Sequence, residues 1–61
     1  MTALHGSELH GGDRWHYRAD FDLTVVRTFQ DGASVAVVVE QYQFPLHVAA
    51  DALLDVEPAV R

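Results

Sequence analysis

Between Trp15 and Phe29 the chain alternates regularly enough that the two faces of a strand can be read from it directly. Trp15, Tyr17, Ala19, Phe21, Leu23, Val25 and Phe29 share one parity, His16, Arg18, Asp20, Asp22, Thr24 and Thr28 the other, and only Arg27 and Val26 break the pattern. Successive side chains of a strand point to opposite faces, so a period of two describes a ribbon with one apolar side. After Asp31-Gly32 a second apolar run, Val35 to Val39, completes a predicted β-hairpin.

Two registers are open to that hairpin. A two-residue turn at Asp31-Gly32 pairs odd positions with even ones. A three-residue loop, Gln30-Asp31-Gly32, pairs Val25 with Val37 and Leu23 with Val39, and so gathers Phe21, Leu23, Val25, Phe29, Val35, Val37 and Val39 on one face. The second register is expected, because it buries one consistent set. The first strand, Arg14 to Phe29, is long beside the roughly 3–10 residues usual in strands. A bend or bulge near Ala19 to Asp20 would leave Trp15 to Arg18 as a short strand able to reach another chain.

Val35 to Val39 is apolar without interruption, so both faces of the second strand call for cover. The sequence offers one covering element. Pro45 suits a first helical turn, and Leu46, Ala49, Ala50, Leu53 and Leu54 follow the i, i+3, i+4, i+7, i+8 spacing of an apolar stripe, with His47, Asp51 and Asp55 pointing away. A helix over about Leu46 to Val56, stopped by Pro58, is predicted. It has no Ser, Thr, Asp or Asn ahead of Pro45 to cap it, and Asp55 and Glu57 sit at the unfavourable end of its dipole.

The fold class read from the sequence is therefore α+β in β-β-α order: residues 14–61 form one small domain, a long hairpin with a C-terminal helix on one face. Residues 1–13, with three of the four glycines, read as a flexible arm.

At 61 residues the chain buries a limited core, and domains of this size usually recruit disulfides, a metal or a partner. There is no cysteine, so no disulfide is possible within the chain. Nine acidic residues against four arginines, a net charge of −5, disfavour nucleic acid, whose affinity comes mostly from neutralised phosphates. No apolar run approaches the roughly 18 residues that span a bilayer, and the first dozen residues lack a basic n-region and an apolar h-region. A cytoplasmic protein without membrane contact is expected.

His5, His10 and His16, with Glu8 and Asp13 between them, are weak candidate metal ligands, imidazole and carboxylate being suited to zinc, nickel or copper. Their spacings of five and six residues match no compact ligand pair, so no metal or other cofactor is expected. His47 and Asp51 fall at i, i+4 on the predicted helix without a cleft, and Ser7 and Ser34 lie in no nucleophile motif. No catalytic residue is expected, which leaves open an accessory role beside an enzyme.

The face carrying Val26, Ala36, Val38 and Tyr42 has nothing in the chain to cover it. Trp15 and Tyr17 add aromatic residues of the kind that dominate interfaces, and Arg27 interrupts an apolar parity where a partner's carboxylate would pair with it. These seven are the expected interface. The function that follows is protein–protein association without catalysis, as a homodimer or as an accessory subunit of a larger assembly. Two other classes stay open: a metal-binding or metal-delivery protein using the N-terminal histidines, and an acidic inhibitor, antitoxin-like or immunity-like, of another protein.

Overall fold

A computed structural model describes residues 2–59; Met1, Val60 and Arg61 lie outside it. The elements are β1 (Thr2–His5), a 3-10 turn (Gly6–Glu8), β2 (Arg14–Arg18), β3 (Phe21–Asp31), β4 (Ser34–Val39), β5 (Leu46–Ala49) and β6 (Leu53–Glu57). All pairings are antiparallel, in the order β1-β6-β2-β3-β4-β5. The architecture is all-β, which corrects the α+β expectation.

Among the described residues there is no α-helix to pack on the sheet. The stretch read as a helix forms β5 and β6, separated by a turn at Ala50 and Asp51. The same residues satisfy a period of two: Leu46, Val48, Ala50, Ala52 and Leu54 are half-buried and Val56 is buried, whereas His47, Ala49, Asp51, Leu53, Asp55 and Glu57 are exposed. Poor capping and an acidic C-terminal end weaken the helix, and both strand segments find partners, β5 on β4 and β6 on β1 and β2. Tertiary pairing therefore decides between two periodicities that the sequence carries at once.

The long first strand is also two. The chain reverses at Ala19-Asp20, and β2 folds back on β3 with Trp15 opposite Leu23 and His16 opposite Asp22. Tyr17 is the extra residue of a bulge, since Arg18 pairs with Phe21. Trp15 to Arg18 thus pairs inside its own chain. Nor do residues 2–13 stand apart: β1 lies on β6, Leu9 joins the core and Asp13 is fully buried.

The β3–β4 turn is Gly32-Ala33, between paired Asp31 and Ser34, with Gly32 at φ 61°, as a type II′ turn requires of its first central residue. The predicted three-residue loop is absent. Parity is restored by a bulge: Arg27 faces Val38 but Val25 faces Val39, so Val26 is inserted. A bulge bends its strand, and β3 here passes from the half-sheet shared with β2 into the half-sheet shared with β4. The chain before β2 lies along this bend. Gly12 N–H donates to Val25 O at 2.7 Å, Val25 N–H to Asp13 O at 2.9 Å, and a Cβ on Gly11 would stand 2.5 Å from the Val26 carbonyl oxygen.

The bend rolls the sheet onto itself. Trp15, Leu23 and Val56 of one half meet Val35, Val37 and Val39 of the other, with Val25 at the bend and Leu9 closing the cluster. At the β5–β6 corner Gly6 N–H donates to Ala52 O and Ser7 N–H to Ala50 O, fastening the end of β1 there. Asp13 fastens the opposite side, its Oδ2 accepting from His10 N–H and its Oδ1 from Ala59 N–H, both at 2.9 Å.

Candidate docking surface

Phe21, Tyr42 and Phe44 come together where β3 begins and the connection from β4 to β5 passes. Phe21 meets Tyr42 edge-on, centroids 6.3 Å apart at 89°, and Tyr42 stacks on Phe44 at 5.6 Å and 19°. The connection is held in place by Thr24. Glu40 N–H donates to Thr24 O, and Thr24 N–H donates to Gln41 Oε1, both at 3.0 Å, so a side-chain amide takes the place of a ladder partner. Tyr42 is half-buried against the core, which fixes its ring, while Phe21 and Phe44 remain 38% and 60% exposed. Rings held in position and left in water are the usual mark of a contact surface.

A second apolar area lies on the outer face of β3, β4 and β5. Phe29 stands opposite Ala36, and Ala36 opposite His47; Arg27 stands opposite Val38. Phe29 is 52% exposed, and the Arg27 guanidinium lies 5.2 Å from its centroid. Val26 projects from the bulge, exposed.

The expected interface residues therefore divide. Arg27, Ala36 and Val38 share the outer face with Phe29, and Val26 borders it. Tyr42 belongs to the aromatic trio. Tyr17 is exposed, its ring edge-on to Trp15 at 5.2 Å and covered by the Arg18 guanidinium at 5.4 Å. Trp15 itself is buried in the core. Phe21 and Phe44 escaped the sequence reading, the first because its parity assigned it to the core, the second because it lies beyond the apolar run Val35 to Val39. The spacing of Tyr42 and Phe44 directly before Pro45 was the available signal.

The histidines do not converge. His5 Nδ1 contacts Glu8 Oε1 at 2.9 Å, and the His5 backbone N–H reaches the same oxygen at 2.7 Å; this backbone bond first, and the ring second, hold the Glu8 carboxyl below its ordinary range. His16 Nδ1–H donates to Asp22 Oδ1 at 2.8 Å. Its Nε2 is buried without a hydrogen bond, 3.9 Å from Glu57 Oε2, which is too long for one. Among the described residues no three His, Asp or Glu side chains are grouped to hold a metal ion. His47 lies on β5 and Asp51 in the following turn, so the i, i+4 relation of a helix does not apply to them.

A cleft of about 320 Å³ is lined by His16, Tyr17, Arg18, Ala19 and Asp55. The His16–Asp22 pair beside it resembles half of a proton-transfer arrangement, which also needs a nucleophile within reach of the free ring nitrogen. The chain's serines are elsewhere, Ser7 in the 3-10 turn and Ser34 at the start of β4. No helix among the described residues is long and apolar enough to cross a membrane. Comparison with protein-family models, curated proteins and solved structures finds no match to the chain.

Proposed function

We propose that this protein is a non-catalytic docking module that binds another protein through the Phe21–Tyr42–Phe44 surface. One observation carries the reading: three aromatic side chains, anchored by a hydrogen-bonded connection and by the core, keep their outer rings in water. Aromatic anchors held rigidly lose little conformational freedom on binding, which is why such residues supply most of the binding energy at interfaces. The outer face around Phe29, Ala36 and Val38 extends the area available to a larger partner. A role as an accessory subunit in the cytoplasm fits this surface and the absence of cysteine. The acidic-inhibitor reading is supported by the charge of −5 and uses the same rings.

The test is affinity capture from the source cells with the parent chain and with Phe44→Ala as baits, captured proteins being identified by mass spectrometry. A protein retained by the parent and lost by the variant, at equal bait stability, is expected. Identical captured sets from both baits would overturn the assignment of the surface.

A further inference from the structure

Resting on the docking reading above, we infer that the ring trio receives arginine or lysine side chains from a basic segment of the partner protein. The chain itself shows the pairing. Of its described arginines, Arg18 lies over Tyr17 and Arg27 over Phe29, at 5.4 and 5.2 Å from the ring centroids. Among the described residues no cation lies over Phe21, Tyr42 or Phe44, although their faces attract cations through the same ring quadrupole.

The charges that frame the trio point the same way. Asp20 directly precedes Phe21, Glu40 opens the connection that carries Tyr42 and Phe44, and both are exposed. Asp22 is occupied by His16; of the two arginines on the flanking strand β2, Arg18 is committed to Tyr17, and Arg14 stands at the far end of the strand, opposite Thr24 rather than Phe21. An incoming guanidinium or ammonium group therefore meets ring faces beside carboxylates, and its alkyl stem covers the exposed ring edges.

Other occupants are disfavoured by sign. A second copy brings the same net charge of −5, and nucleic acid or an anionic lipid surface would set phosphates against Asp20 and Glu40.

The probe is a fluorescein-labelled peptide of alternating arginine and proline, titrated in fluorescence anisotropy against the full chain, with a counterpart carrying glutamine in place of arginine. The arginine peptide is expected to bind, more weakly as salt rises, and the glutamine peptide at least about tenfold more weakly. Phe44→Ala is expected to reduce affinity for the arginine peptide about tenfold with an unchanged Tm, because the side chain is largely in water. Equal binding of the two peptides overturns the inference. So does binding that Phe44→Ala leaves intact, which would be diffuse charge attraction, and so does an absence of binding. If the peptide fails while capture from cells still depends on Phe44, the partner class is wrong and the docking reading stands; if both fail, both fall.

Discussion

Alanine at position 13 would take the acceptor away from two backbone donors, the N–H groups of His10 and Ala59, each now 2.9 Å from a carboxylate oxygen of Asp13. These bonds join the loop ahead of β2 to the chain that follows β6, segments 46 residues apart. Asp13 is fully buried, so water does not simply replace it. A hydrogen bond to a charged group contributes about 1.5–3 kcal/mol. Both bonds are only part-buried, so the low end of that range applies and the expected loss is about 3 kcal/mol. A domain of this size draws about 3–5 kcal/mol from its core, so Asp13→Ala should sit near its folding midpoint. Asp13→Asn keeps one carbonyl oxygen but turns an amide donor toward the other N–H, for an expected loss of about 2 kcal/mol. Urea unfolding followed by the fluorescence of Trp15, buried in the native core, reads both values. An Asp13→Ala variant within about 0.5 kcal/mol of the parent would refute the assignment of Asp13 as the fastening.

Gly11→Ala drives a Cβ to 2.5 Å from the Val26 carbonyl oxygen, and because that atom is backbone the loop must lift from the bend; a loss of about 2 kcal/mol in the same urea assay is expected, and an unchanged midpoint would contradict the close approach. The Glu8 carboxyl is held below its ordinary value of 4.5 by His5, so its contribution is present at neutral pH and lost as pH falls through the depressed value. Glu8→Gln should accordingly flatten the acid limb of stability below about pH 4.5, measured as the urea midpoint against pH; an identical limb in both proteins argues against the contact.

Of the seven residues that the sequence assigns to one buried face, Leu23, Val25, Val35, Val37 and Val39 are in the core, whereas Phe21 and Phe29 are exposed, Phe29 because the bulge at Val26 shifts the parity of β3 and sets it opposite Ala36 on the outer face. The break at Val26 and Arg27 was visible as well, and it marks the bulge where β3 bends. Its meaning was not visible, because a bulge is defined by the partner strand rather than by the residues in it. The reversal at Ala19-Asp20 was hidden because odd-numbered Tyr17, Ala19 and Phe21 keep one parity across it, the Tyr17 bulge absorbing the offset. Leu46 to Glu57 obeys two periods at once, and only the pairing with β1, β2 and β4 selects the strands. The proposed docking surface was legible in part. Tyr42 was singled out for its position, but the contact of Phe21 with the β4–β5 connection depends on Thr24 gripping Gln41, a side-chain bond no spacing rule reveals.

The position of β4 has a consequence for how the protein fails. Five consecutive uncharged apolar residues, Val35 to Val39, without proline, make a segment of the kind that stacks into cross-β fibrils once its backbone is free. In the fold β3 occupies one edge along its whole length, and the four residues of β5 occupy the other as far as Val37. Detachment of β5 alone would bare an aggregation-competent edge while the rest of the domain is still folded. The protein's resistance to clumping is thus set by the local hold on Leu46–Ala49, a quantity separate from its global unfolding free energy.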